Sequence, residues 1–267
     1  MVDIVEQSTA TVPRRRIFLL LLLAGMVGVF VFSYAMITYN LPTLIERMAV
    51  DASQFPPNII LIIISTIQPT ILIALAIWGG LTLAERMGVN ITPILTSARD
   101  QTISLLATGL GLGFIAGLVM LVAHQWIFLP LTGIPVNATA NYPLWLAMTS
   151  ALLYGGIVEE LLMRLGLMTF LLWIGTKIQG GNALRPGRRT FWIVNIIVTL
   201  IFGLLHVVSA PVLLDVVITP MVIIQAIVLN SVALLFGWLY WHKGLETVIA
   251  AHMGVHLSYT FIALALL

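Results

Sequence analysis

The chain has 267 residues, of which 60% are hydrophobic and 8% charged, and its mean hydropathy is +1.10. A soluble globular domain carries about 25% charged residues, so this composition excludes one and points to a polytopic membrane protein. The formal net charge of +2 says little, because in a membrane protein what matters is where the basic residues sit; with no cysteine, disulfides, a thiolate nucleophile and Cys-ligated metals are excluded too.

A basic tail, residues 1–16, ends in "PRRR". Crossing roughly 30 Å of hydrocarbon takes about 20 helical residues, and segments of that kind follow at 17–39, 59–83, 101–129, 144–174, 191–209, 220–241 and 246–267. The expected fold is therefore all-α, a polytopic membrane helical bundle of about seven transmembrane helices, with accessory helices over 17–143 and a catalytic core over 144–267. The opening "RRRIFLL" has the look of a signal peptide or twin-arginine signal. Its apolar run is long and six more spans follow, so it is read as a retained first span. The stretch "APVLLDVVITP" fits an outer loop, a re-entrant segment or half of an eighth span.

With a cytoplasmic N-terminus, the inside segments collect Arg14, Arg15, Arg16, Arg86, Arg99, Lys177, Arg185, Arg188, Arg189 and Lys243, and the outside segments only Arg47. That asymmetry satisfies the positive-inside rule and suggests a multi-pass protein of the plasma membrane with its N-terminus in the cytoplasm.

The fourth span, "LLYGGIVEELLMRLGLMTFLLW", places Glu159, Glu160 and Arg164 in apolar helix, where each charge costs roughly 2.5–3.5 kcal/mol even on the lowest insertion scale. Successive helical residues turn by about 100°, so Glu160 and Arg164 share a face and can pair, while Glu159 points elsewhere. Gly155 and Gly156, one turn earlier on the Glu159 side, leave room for a backbone or a substrate. A charge cluster that only clamps helices would need one Glu–Arg pair; the second acid asks for its own reason.

"FGLLH" in the fifth span puts Phe202 and His206 four apart, and "AHMGVH" in the last does the same for His252 and His256. A lone intramembrane histidine is usually a hydrogen-bonded packing residue. Two acids, an arginine and three histidines on three helices are best satisfied in one shared cavity. His124 and His242 read as interfacial. Depth is an open point: counted from the cytoplasmic ends at ~1.5 Å per residue, Glu159 and His206 lie about 22 Å in and His252 only about 10 Å.

Taken together, "EELLMR" as E-E-x-x-x-R, "FGLLH" as F-x-x-x-H and "HMGVH" in the place of H-x-x-x-N resemble the CAAX protease and bacteriocin-processing (CPBP) family of intramembrane endopeptidases, which includes the CAAX prenyl endopeptidases. The resemblance covers roughly residues 144–267, and the first three spans carry no diagnostic residue. It implies that Glu159 activates water, that His206 assists, that His252 contacts the water or the developing oxyanion, and that Glu160 and Arg164 are a supporting pair. The departure is His256, where the family usually has an amide such as Asn; a neutral imidazole N–H still donates, but its charge varies with pH.

The chemistry agrees with the resemblance. Peptide hydrolysis without a Ser or Cys nucleophile needs a polarised water, a base and oxyanion donors, and Glu159 with His206 supplies the first two. A zinc-dependent alternative would use His206, His252 and His256 as ligands, the last two at the i, i+4 spacing by which a helix offers two ligands. The H-E-x-x-H signature is absent, with Met253 where the base would stand, and the reading favours catalysis with no cofactor. The expected partners are the lipid bilayer and a membrane-associated peptide or protein substrate, with no nucleic acid. Two other classes stay open: a non-catalytic immunity or scaffold protein, and a proton-coupled transporter, for which no internal repeat is visible.

Overall fold

A computed structural model describes residues 12–49, 51–89, 91–92, 99–135, 142–179, 185–214 and 216–266. Within them the chain forms seven continuous helical stretches: α1 Arg14–Met48, α2 Asn58–Arg86, α3 Arg99–Thr132, α4 over residues 144–178, α5 Arg188–Leu214, α6 Pro220–Lys243 and α7 over residues 245–266. Five of them, α1, α2, α3, α5 and α6, are long and apolar enough to cross a membrane. The expected all-helical membrane bundle is therefore present, with five spans supported by length and composition where seven were expected. Helices α4 and α7 lie where the other two spans were read, and they form the centre of the bundle. Val158, Leu161, Leu165 and Leu172 of α4 and Leu245, Val248 and Ala251 of α7 have no exposed surface.

The doubtful stretch after Pro211 resolves into a helix end and a short link. Helix α5 runs through Pro211 to Leu214, residues 216–219 are not helical, and the Thr219 hydroxyl caps α6 by accepting from the Val222 N–H at 3.3 Å. Pro220 at the first helical position suits that start. Asp215, like residues 1–11 of the basic tail, lies outside the described residues.

Contacts between distant parts of the chain define two ends. At one end, Arg14 reaches Glu85 and the Trp78 carbonyl, Arg185 donates to the Gly88 carbonyl, and the Leu245 N–H donates to the Ile91 carbonyl. Phe191 packs there against Trp241 and His242. This is the end that carries the basic residues. At the other, Tyr142 meets Tyr39 and Met36, and His124 meets Ile134 and Tyr259. Exposed tryptophans mark both levels, Trp78 and Trp192 toward the basic end, Trp126 and Trp145 toward the other, as amphipathic rings do at the two faces of a bilayer. Between them α2 turns Ile63, Ile67, Ile71 and Leu75 outward, a side that suits lipid better than water.

Small residues set how closely the helices approach. Gly109, Gly113 and Gly117 form a stripe on α3 where any Cβ would strike the backbone of α7 at Thr247, Ala251 and Val255. Gly254 of α7 meets the α3 backbone from the other side, at Leu110 and Phe114. Gly28 of α1 and Gly80 of α2 lie in the same way against the α4 backbone at Leu153 and Leu165. Helices in lipid gain little from apolar burial, so close packing at small residues is the force that holds them.

At the start of α7, Leu245 is fully buried and its N–H is taken by the Ile91 carbonyl, beside Met87 and Thr92, which are themselves buried.

Candidate active site

The backbone of α4 departs from α-helical pairing around the two acids. Its hydrogen bonds follow the i→i+5 pattern over Ala151–Glu159 and again over Leu161–Met168. Turns of this kind also occur at His124–Phe128 in α3 and His256–Thr260 in α7. An i→i+5 turn rotates the following side chains relative to an ideal helix, and such turns are frequent at functional positions.

Glu159 and Glu160 leave this backbone in different directions. Glu160 is fully buried, its Oε1 accepting from Arg164 at 3.0 Å and from the Nδ1–H of His252 at 2.7 Å. Arg164 donates a second bond to the Ala233 carbonyl at 3.3 Å, and its guanidinium lies between the rings of Phe202 and Phe236, 5.1 and 5.3 Å from their centroids. A buried charge pair survives only with such extra donors and packing, and the cation–π contacts add to it. The support is thus a triad, Arg164–Glu160–His252, extending the two-residue pair read from the sequence.

Glu159 faces a cavity of about 370 Å³, and 22% of its side chain is exposed against none of that of Glu160. His206, His252 and His256 line the same cavity. The Nδ1–H of His206 donates to the Phe202 carbonyl at 2.9 Å, which leaves Nε2 as its free nitrogen. His252, held through Nδ1 by Glu160, has its Nε2 3.7 Å from Glu159 Oε2. The ring of His256 stacks on that of His252 at 5.0 Å and 13°, its Nδ1 lies 3.0 Å from the Thr260 hydroxyl, and its Nε2 is buried without a partner. The structure therefore brings Glu159 and the three histidines to one cavity and sets Glu160 and Arg164 behind it, with Phe202 and Phe236 between.

Gly155 and Gly156 leave room for α7: a Cβ at Gly155 would strike His256 Nε2, one at Gly156 would meet the Met253 side chain with its backbone N 3.7 Å away, and Gly155 also lines the cavity. His124, at the outer end of α3, is 4% exposed and lines the far part of the cavity, which the sequence reading did not foresee. Its Nε2–H donates to the Ile134 carbonyl at 3.0 Å, its Nδ1 accepts from the Tyr259 hydroxyl, and the side-chain nitrogen of Gln225 lies 3.5 Å from Nε2. His242 is exposed at the basic end, as read.

Sequence reasoning missed Phe236, Gln225, Tyr259 and His124 as parts of the site. Only the Tyr259 and His124 positions had a signal, polar groups in the outer part of apolar spans. Among the described residues no three His, Cys, Asp or Glu side chains are grouped to hold a metal ion, so His206, His252 and His256 share a cavity without the arrangement that the zinc alternative requires.

One comparison with known proteins matches: the family model described as type II CAAX prenyl endopeptidase Rce1-like fits residues 141–258, a range that holds Glu159, Glu160, Arg164, His206, His252 and His256. No curated protein and no solved structure matches the chain.

Proposed function

Because residues 141–258 belong to the Rce1-like family of type II CAAX prenyl endopeptidases, we propose that this chain is an integral membrane endopeptidase in which Glu159 and His206 activate water, with no metal required. The observation that carries the reading is the division of the two acids. Glu160 is consumed by Arg164 and His252, and Glu159 is left open to a cavity shared with three imidazoles.

In this mechanism a water held between Glu159 and His206 Nε2 attacks the scissile carbonyl. The new C–O bond forms as Glu159 takes the water proton, and the carbonyl electrons move to oxygen. When the C–N bond breaks, the same proton passes to the leaving amine, so peptide and water become a carboxylic acid and an amine with Glu159 restored. The oxyanion donor is drawn from His256: if the Thr260 hydroxyl donates to Nδ1, the unpartnered Nε2 beside Gly155 carries the hydrogen, while His252, whose hydrogen is on Nδ1, offers Nε2 as an acceptor to the water. Glu160 acts only through His252, fixing its tautomer by accepting from Nδ1, as a buried carboxylate does for other catalytic histidines. In the same reading α4 and α7 span the bilayer beside the other five helices, making seven spans with the N-terminus in the cytoplasm of a plasma-membrane protein.

The test is Glu159→Gln in purified protein, assayed for cleavage of membrane-associated peptides with and without chelator. The amide keeps the shape and removes the base, so the variant is expected to fold as the parent does and to be inactive, while the parent keeps its activity in chelator. A Gln variant that still cleaves would remove Glu159 from the mechanism, and a parent inactivated by chelator would restore the zinc reading.

A further inference from the structure

We infer that the cavity is entered from the side of the membrane opposite the basic residues, so that the protein acts on uncharged peptide segments presented at the extracytoplasmic face. The part of this that concerns substrate rests on the endopeptidase reading above; the sidedness does not.

Three observations converge. First, the cavity lies entirely on one side of the charge triad. In α5, which leaves the basic end, its lining begins at Phe202 and continues through His206 to Ser209; in α7 it begins at His252 and continues to Thr260. In α4, which runs the other way, lining residues precede and include Glu159 and stop there. No residue of the basic end takes part.

Second, the other side is closed. Between the triad and the basic end, Leu165, Met168, Leu172, Leu239, Leu245 and Val248 form a core with no exposed surface, and the buried Ile91 takes the Leu245 N–H at the start of α7. Interiors packed in this way hold few voids larger than a water molecule. A peptide cannot reach Glu159 through them without unfolding the bundle.

Third, the basic residues name the sides. Ten of the twelve Lys and Arg residues lie in segments at the closed end, one at the other, and the last is the buried Arg164. The positive-inside rule makes the closed end cytoplasmic. At the opposite end the cavity is lined by Pro135, which is exposed, and by Tyr142.

The lining also describes what enters. Among the described residues it contains no Lys or Arg, and its only acid is Glu159. Gln225, beside His124, is a neutral amide in that lining. An uncharged, extended, membrane-proximal segment of an exported or membrane-anchored chain meets these conditions, whereas a charged tail would lose its hydration without a counter-ion.

The absence of cysteine from the whole chain allows a direct test. Ser209→Cys and Ser150→Cys place a single thiol in the cavity by a near-isosteric change, and Gln179→Cys places one at the exposed basic end. Each is treated with a membrane-impermeant maleimide in sealed right-side-out and inside-out vesicles. The expected result is labelling of the cavity thiols from the extracytoplasmic side only and of residue 179 from the cytoplasmic side only. Cavity labelling from the cytoplasmic side, from both sides or from neither would overturn the inference. Membrane proteomes of cells carrying the parent or Glu159→Gln are then compared for new peptide termini, expected in extracytoplasmic segments; termini confined to cytoplasmic segments would overturn the substrate assignment. If the two proteomes do not differ, the endopeptidase reading fails and the substrate assignment with it, while the labelling still decides the sidedness.

Discussion

Helices α1–α3 and α4–α7 are built from the same apolar residues, yet they differ in what their few exceptions do. In the first half the exceptions are glycines: Gly28, Gly80 and the Gly109–Gly113–Gly117 stripe bring backbones together. In the second half they are charges and imidazoles, clustered around one cavity. The two sets are coupled, because the stripe on α3 seats α7, the helix that carries His252 and His256. A half with no catalytic group of its own thus fixes where the catalytic groups stand, which binding and cleavage chemistry requires to a fraction of an ångström.

The largest effect is expected where that coupling is cut. Gly113→Leu would drive a side chain into the Ala251 backbone, the residue before His252 of the ion triad, and neither helix can retreat without vacating the site. Folded yield and thermal stability in detergent should collapse and activity with them. Gly79→Ala is the control from the same half: nothing lies near its Cβ, and replacing glycine in a helix interior is expected to be neutral or to stabilise by up to about 1 kcal/mol. Equal tolerance at both positions would dissolve the distinction between a packing half and a chemical half.

Next in size is Glu160→Gln. It leaves Arg164 buried without its carboxylate and removes the acceptor of His252 Nδ1, and breaking one partner of a buried pair costs on the order of 3–5 kcal/mol. Thermal unfolding should show that loss, together with reduced cleavage. Glu159→Gln should show the reverse pattern, activity lost with stability kept, because that side chain makes no ion pair with Arg164. A Glu160 variant that is stable and inactive would move the hydrolytic role to Glu160.

How much of this was legible in the sequence follows from the kind of force involved. Charges in apolar helix announce themselves, because each needs a reason to be there; hence Glu159, Glu160, Arg164 and the three histidines could be picked out, and the i, i+4 spacing of Glu160 and Arg164 foretold their contact. The bond from His252 to Glu160 could not be read, since it depends on how α7 packs against α4. The i→i+5 turns were equally hidden: no residue type marks them, and they are set by packing. The burial of His124 could not be read, because its distance from the end of an apolar run says nothing of Ile134, whose carbonyl it reaches. The glycine stripe on α3 was visible at its four-residue spacing, and was passed over because it carries no chemistry.

The smallest effects, and the most discriminating, belong to His256 and Gly155, where the two features meet in one contact: a glycine that makes room for an imidazole. His256→Asn keeps an N–H donor but gives up the stack on His252 and the Thr260 bond, and it empties the space beside Gly155. Losing a whole oxyanion donor costs roughly 100- to 1,000-fold in turnover; with a donor retained, most activity should survive, and its pH profile should lose one titrating group. Gly155→Ala alone pushes against His256 Nε2 and should lower turnover by displacing the ring. Combined, the alanine methyl enters the space the imidazole vacated, so the double variant should outperform the sum of the two single losses, with a coupling within the roughly 0.5–3 kcal/mol seen for residues in contact. Strict additivity would mean that His256 does not rest on Gly155. A dead His256→Asn beside a fully active Gly155→Ala would mean that the imidazole itself, and not merely a donor at its position, takes part in the reaction.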